Sequence, residues 1–428
     1  MILRDPVHGL VSFERPDERI VVDLIDTAEV QRLRRVRMLG VTSMAFPSAE
    51  HSRFSHAVGA AHVMKCYLAR IRALEADIPP SERITTDDAR LALAAALMHD
   101  LGHGPLSHLF EEVFAGARAH EDWTSALLLD PESQVHRVLA DIDPKYPHAV
   151  ERLVHGEHPR PYLAHAVSGT FDVDRCDYLL RDSYMSGVRY GLFDLDWLLR
   201  SLRLTTGRDG ARLAIDGSKG LPAVEGFFLA RLFMYQQVYF HKATRAAEVM
   251  VRLLFKRAVD LVREGGDAQL PPVLLAMARG ESVSAADYQS MDDETVWGAI
   301  QRWETSPDAV LSDLSQRLRH RVLFKSELLE EADVPRAEEL TQALRDIVAA
   351  HGFDPRYYAT FDVADTTAYD EPADEEVALR VIDRRGRART LGRSSFLMGR
   401  LKGETLLLRR LVFPAEVREK VQALLAQS

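Results

Sequence analysis

Three stretches of this chain carry imidazoles and carboxylates at spacings suited to chemistry. The first is His51-Ser52-Arg53-Phe54-Ser55-His56. The second is His99-Asp100-Leu101-Gly102-His103-Gly104-Pro105-Leu106-Ser107-His108, and the third is Asp172-Val173-Asp174-Arg175-Cys176-Asp177-Tyr178. Mixed imidazole and carboxylate donors suit a hard divalent metal. His56, His99, Asp100 and Asp174 make a set of two histidines and two carboxylates that leaves positions for water and a phosphate oxygen. An ion held there acidifies water and neutralises phosphate charge. One histidine among the 16 in the chain says little, because most are surface or hydrogen-bonded core residues. The three blocks together are far more specific.

These groups need elements to position them. Ala89 to Met98 is apolar on nearly every side, which predicts a buried helix, and Thr85 with Asp88 forms a capping signal at its start. That helix delivers His99 and Asp100 at its C-terminal end, before Gly102. Ionisable groups placed after a run of Leu and Ala are expensive unless paired or bound to metal. His56 opens a helix that runs to Leu74. Ser107 and His108 begin another helical stretch, and His120-Glu121 lies near the start of a further one. The apolar spacing from Arg19 to Met38 predicts one helix with Gly40 as its stop. Phe227 to Val259 reads as one long helix, and Pro271 to Leu314 is mostly helical with acidic faces.

The composition changes near residue 350. Phe361-Asp-Val, Val377 to Ile382 and Leu406 to Val412 have strand character, as does the short Leu10 to Phe13. Arg384-Arg385-Gly386-Arg387 predicts a hairpin turn, Pro414 to Leu425 a closing helix, and Ala364 to Glu375 a loosely structured stretch. The fold class expected is mainly α: a helical domain over residues 1–340, with its metal core at about 48–185, and a small α+β subdomain over 341–428.

The 428 residues suffice for two domains and a large core. The net charge of -10 supplies no global attraction for nucleic acid or an anionic membrane, although the Arg384–Arg389 turn offers a local phosphate contact. Two cysteines, Cys66 and Cys176, do not make a disulfide framework. With no signal peptide and no apolar run of about eighteen residues, the expectation is a soluble, cytoplasmic protein.

The motifs resemble the HD-domain deoxynucleoside triphosphate triphosphohydrolases, which include the animal enzyme with a sterile-alpha-motif domain and single-chain bacterial relatives. The likeness starts at Asp5-Pro6-Val7-His8-Gly9. It continues through Ile25-Asp26-Thr27-Ala28-Glu29-Val30-Gln31-Arg32-Leu33-Arg34, Phe46-Pro47, Tyr178-Leu179-Leu180-Arg181-Asp182 and Tyr239-Phe240-His241-Lys242. It implies one divalent metal (Mn, Mg, Fe, Ni or Zn) on His56, His99, Asp100 and Asp174. It implies that His103, His108 and His120 assist at the α-phosphate, with Glu111 orienting one of them and His108 or His120 protonating the leaving 5′-oxygen. Arg53, Arg175, Arg231 and Lys242 match phosphate-lining positions. Tyr178, Asp182 and Tyr239 match the sugar site.

Asp26, Gln31 and Arg34 match the guanine-reading residues of the family's activator site, and relatives form tetramers. The resemblance therefore implies a nucleotide substrate, a nucleotide effector and a homo-oligomer, tetramer or dimer, while the acidic balance and the lack of a spanning apolar run point away from nucleic-acid and membrane partners. For Asp26, Gln31 and Arg34 the other reading is that they decorate a helix at an assembly interface. The chain departs from the animal pattern at Met38, where a glutamine helps hold the 3′-hydroxyl, at Arg175, which replaces a lysine, and at Cys176, which replaces a tryptophan. The activity implied is hydrolysis of a deoxynucleoside triphosphate to nucleoside and triphosphate. The alternatives are an HD phosphohydrolase acting on another nucleotide (a ribonucleotide, a nucleoside monophosphate or a signalling nucleotide) and a non-catalytic nucleotide sensor.

Overall fold

The computed structural model describes residues 1–114, 118–208, 210–374 and 378–426, with the side chains of His108, Phe110 and Glu111 outside that description. The fold is mainly α, as expected from the periodicity. It opens with a hairpin of β1 (Ile2–Asp5) and β2 (Gly9–Ser12). Helices α1 (Arg19–Ile25) and α2 (Ala28–Arg32) follow. The single helix expected over Arg19 to Met38 is therefore broken. Thr27 is extended, at φ -71° and ψ 149°, and its hydroxyl donates to the Leu24 carbonyl at 2.7 Å. A local side-chain bond of this kind gives the backbone an alternative to continuing the helix.

Helix α4 (Thr86–Met98) packs on α3 (Arg53–Leu74). Thr85 and Asp88 form the reciprocal cap. Ala89, Ala92, Ala94, Ala95 and Ala96 are buried and let α4 approach its neighbours closely. Next come α5 (His108–Val113), α6 (His120–Leu129), α7 (Gln134–Ala140), α8 (Tyr146–Val154), α9 (Pro161–Val167) and α10 (Val173–Ser186). Helix α10 lies against α3. One apolar core, with Met64, Tyr67, Leu93, Leu97, Leu179 and Phe227 among its members, surrounds this centre.

After α11 (Leu195–Arg200) the chain forms a hairpin of β3 (Leu202–Gly207) and β4 (Gly210–Asp216) that the sequence reading missed. Then α12 (Leu221–Met234) runs into a π-helical stretch at Tyr235–Tyr239 and stops before α13 (Lys242–Arg263). The one helix expected over Phe227 to Val259 is thus two. Within the π stretch the Phe240 amide donates to the Tyr235 carbonyl at 2.8 Å, a five-residue step that widens the helix, as such segments do at functional sites. A second core forms around α13 and the helices that follow it.

The remaining strands are β5 (Lys325–Leu328), β6 (Thr360–Thr367), β7 (Arg380–Ile382), β8 (Ala388–Thr390) and β9 (Thr405–Phe413). The sheets run in the orders β3-β4-β7-β8 and β5-β9-β6, with β4 and β7 parallel. Strands from both sides of residue 340 therefore share each larger sheet. The Arg384–Arg387 turn joins β7 to β8 with Gly386 at φ +75°. The stretch expected to be loose is strand β6 up to Thr367, and Glu375 and Val377 lie outside the described residues.

Candidate active site and metal centre

Each block of the sequence sits at a helix end. Ser52 is extended and caps α3, which places Arg53 at its first position and His56 one turn inside. His99 caps the C-terminus of α4. Asp172 caps α10, accepting from the Arg175 amide at 2.8 Å, and Asp174 stands in the first turn.

The turn after His99 is held by groups far away in sequence. Arg32, 1% exposed, donates to the carbonyls of Met291 at 2.8 Å, Leu101 at 3.3 Å and His103 at 2.8 Å. The Tyr288 hydroxyl donates to the Gly102 carbonyl at 2.8 Å. The Gly102 amide donates to the Thr124 hydroxyl at 2.9 Å. A Cβ on Gly102 would stand 2.1 Å from the His120 carbonyl oxygen, so only glycine permits this approach.

These elements bring the candidate ligands together. His56 Nε2 lies 3.2 Å from His99 Nε2 and 3.1 Å from Asp174 Oδ1, and His99 Nε2 lies 3.4 Å from Asp174 Oδ1. One donor atom from each of these residues falls within 4.8 Å of the others. Asp100 borders the group, with Oδ1 3.4 Å from His99 Nε2 and Oδ2 3.7 Å from His56 Nε2. Its Oδ2 also takes a short contact from Arg53.

The donor set fits a divalent cation. His56 Nδ1 is 2.8 Å from Asp177 Oδ2, and His99 Nδ1 is 2.9 Å from the Ala96 carbonyl oxygen. Carbonyl and carboxylate oxygens only accept, so the Nδ1 atoms carry the protons and both Nε2 lone pairs converge. Burial opposes a charge on His56, yet hydrogen bonds to Asp174 and Asp177 push its pKa up to about 10. Burial likewise works to raise Asp174, but His56 and His99 hold its carboxyl well below the usual range. The cluster is built to surround positive charge, from a proton or a metal ion.

Seven other candidates meet in a cleft of about 390 Å³ beside this cluster, with Arg53, His103, His120, Arg175, Tyr178, Asp182 and Tyr239 in its walls. His103 and His120 stack at 3.9 Å and 19°, and His103 Nε2 is 3.2 Å from Asp100 Oδ1. Burial, then the nearby Arg53 guanidinium, holds His103 well below its usual pKa, so it is neutral. His120 Nδ1 is 3.2 Å from Glu121 Oε2. The side chains of His108 and Glu111 fall outside the described residues.

Arg53 also donates to the Ser107 hydroxyl through Nη2 at 2.8 Å. Arg175 binds the Gly169 carbonyl at 2.5 Å and makes a short pair with Asp172. Asp182, 1% exposed, accepts from His51 Nε2 at 2.7 Å and from the Tyr239 hydroxyl at 2.8 Å.

Two phosphate candidates stay outside the cleft walls. Arg231 donates to the Thr367 carbonyl at 3.0 Å and stands 5.1 Å over the ring of Tyr235. Lys242 is exposed on the first turn of α13. The effector candidates lie on the surface where α1 meets α2. Gln31 donates to the Ile25 carbonyl and accepts from Arg34 Nε, both at 2.8 Å. The Arg34 guanidinium covers the Phe54 ring at 3.5 Å, and Asp26 is exposed at the end of α1.

Sequence reasoning missed several members. His51, Asp177 and Ser107 sit inside the quoted blocks, and only their spacing could have raised them above their neighbours. Glu121 follows His120 and contacts it, with Oε2 3.2 Å from Nδ1. Tyr235 lines the cleft because the π stretch turns it inward beside Tyr239, with ring centroids 4.9 Å apart.

Residues 53–180 match the HD domain family, and residues 193–271 match the HD associated region. YwfO of Bacillus subtilis, an uncharacterized protein, is 34% identical over 97% of this chain and 92% of its own length. The Dictyostelium discoideum homolog of SAMHD1, a deoxynucleoside triphosphate triphosphohydrolase, is 32% identical over 76% of this chain and 59% of its own length. Human SAMHD1 is 26% identical over 62% of this chain and 46% of its own, so the chain spans about half of that protein. A crystal structure of a Bacteroides thetaiotaomicron phosphohydrolase superposes with a TM-score of 0.80 at 27% identity, covering 96% of this chain and 99% of the other. No helix among the described residues is long and apolar enough to cross a membrane. The chain belongs to the HD-domain phosphohydrolase family.

Proposed function

We propose that the protein is a metal-dependent triphosphohydrolase that converts a deoxynucleoside triphosphate and water into a deoxynucleoside and inorganic triphosphate. The observation that carries this reading is the convergence of His56, His99 and Asp174 beside a cleft walled by Arg53, Arg175 and Asp182. His56, His99, Asp100 and Asp174 would hold one divalent ion. When bound, such an ion acts as a Lewis acid toward a phosphate oxygen and acidifies water.

The chain's own residues do the rest. Arg53 and Arg175 present guanidinium groups to the triphosphate, replacing their carboxylate partners with phosphate oxygens. Asp182, fixed by His51 and Tyr239, accepts from the 3′-hydroxyl, and Tyr178 walls the sugar. Water attacks the α-phosphorus, the bond to O5′ breaks, His120 or His108 gives O5′ its proton, and the proton lost by the attacking water passes to solvent, from which the histidine is reprotonated. His103, held neutral, hydrogen-bonds beside the α-phosphate. The enzyme works in the cytoplasm as a homo-oligomer, and Asp26, Gln31 and Arg34 form a surface that takes a guanine nucleotide as activator.

Met38 lines the cleft, and its thioether is a poor hydrogen-bond partner for a sugar hydroxyl. This favours a second reading in which ribonucleotides are also cleaved. Turnover of a panel of dNTPs and NTPs with Mg²⁺ or Mn²⁺ tests both. The first reading expects deoxynucleoside and triphosphate with strong deoxy preference; equal NTP turnover favours the second, and no turnover of either defeats both.

A further inference from the structure

We infer that the N-terminal hairpin is a positioning device for the metal centre, with His8 at its turn fixing Asp177 and Asp177 fixing the imidazole of His56. The inference rests on the reading of His56 as a metal ligand.

The chain of contacts is unbroken. Asp5 Oδ1 accepts from the backbone amides of Val7 and His8, both at 2.9 Å, and so shapes the turn between β1 and β2. His8 Nε2 reaches Asp177 Oδ1 at 2.6 Å. Asp177 Oδ2 lies 2.8 Å from His56 Nδ1. Arg181 closes the loop: Nε and Nη2 donate to Asp177 at 2.8 Å each, and Nη1 donates to Asp5 Oδ2 at 2.7 Å. The Asp177 and Arg181 side chains are 0% and 1% exposed.

This carboxylate therefore takes four hydrogen bonds in a dry environment, where each fixes its orientation more firmly than in water. Arg181 spans both oxygens, with Nε on Oδ2 and Nη2 on Oδ1, and Oδ1 takes its second bond from outside α10. His8 supplies the bond from the hairpin. A carboxylate behind a metal-ligating imidazole fixes the ring's tautomer and direction, and losing such a partner typically lowers metal affinity about 10–100-fold. The cluster lies against Gly59 of α3, whose absent side chain makes room: a Cβ there would sit 1.9 Å from Asp177 Oδ1.

The test is calorimetric titration of Mn²⁺ into the purified full-length protein, with thermal melts of the metal-free forms alongside. His8→Ala is expected to raise the Mn²⁺ Kd about tenfold. His8→Gln, which keeps a donor near the Nε2 position, is expected to recover most of it. Leu10→Ala, on the exposed face of the same hairpin, is expected to match the wild type. If His8→Ala does not fold, His8→Asn against His8→Gln carries the same comparison, since asparagine is too short to reach Asp177. Equal Mn²⁺ affinity in wild type and His8 variants overturns the inference while leaving the metal site standing. A wild-type protein that binds no Mn²⁺ overturns both.

Discussion

The Nε2 atoms of His56 and His99 face each other at 3.2 Å, with Asp174 Oδ1 3.1 Å from the first and 3.4 Å from the second. Two imidazole lone pairs and a carboxylate at this separation repel unless a cation lies among them. Asp174 is the candidate ligand most open to the cleft, its side chain 30% exposed against 0% for His56. Asp174→Ala should therefore leave the fold intact. Its Mn²⁺ affinity should fall by more than the roughly 100-fold upper range for outer partners, read by calorimetry on wild type and variant.

Arg53 spans the centre and the cleft, joining Asp100 to Ser107. In the proposed reaction it turns to the triphosphate. Charge-assisted hydrogen bonds contribute about 2–3 kcal/mol, so Arg53→Ala should lower kcat/KM for the triphosphate roughly 30- to 150-fold. Steady-state kinetics checks this. An unchanged kcat/KM would remove Arg53 from substrate binding.

Asp182 is gripped from two sides, and Tyr239→Phe removes one grip without changing ring packing. The loss of one neutral-to-charged hydrogen bond is worth about 1–2 kcal/mol. We expect kcat/KM for the deoxy substrate to fall about tenfold and the deoxy-over-ribo ratio to narrow. A ratio that stays constant would place sugar selection elsewhere.

Gly59 and Gly226 make a matched pair of tests. A Cβ at Gly59 would meet Asp177 at 1.9 Å and Arg181 at 2.3 Å, whereas at Gly226 in α12 nothing lies within 4 Å. Gly59→Ala should destabilise the fold by about 3 kcal/mol or more, because it disrupts a buried ion pair. Gly226→Ala should stabilise it by up to about 1 kcal/mol through helix propensity. Denaturant titrations measure both.

Glu248 supplies a pH test away from the metal. Burial pushes its pKa up from 4.5 to about 7, with Arg245 and Arg252 opposing. The fold thus favours the protonated form. That contribution to stability is full below about pH 4.5 and is lost as the pH rises through about 7. Glu248→Gln cannot titrate, so its melting temperature relative to wild type should climb between about pH 5 and pH 8. A difference independent of pH would contradict the shift.

The sequence made the ligand blocks visible because their residue types are costly in apolar surroundings and recur at helix ends. It made α4 visible through its apolar run and its Thr85 cap. What it hid were contacts between distant segments. Arg32 stands in the sequence as one residue of the Ile25–Arg34 stretch, and only the fold shows it buried against the carbonyls of Leu101 and His103. His8 and Asp177 are 169 positions apart, beyond the reach of any periodicity. The breaks at Thr27 and at Phe240 were hidden because apolar spacing continued across both, and a local hydroxyl bond and a π turn overrode it. Hairpin β3–β4 was masked by its placement between helices.

The most direct measurement is product analysis by ³¹P NMR and chromatography after incubating the protein with Mn²⁺ and each dNTP. Deoxynucleoside and intact triphosphate are expected in equal amounts, with both lost in Asp174→Ala. Release of monophosphate and pyrophosphate, or turnover that survives Asp174→Ala, would contradict the proposed reaction.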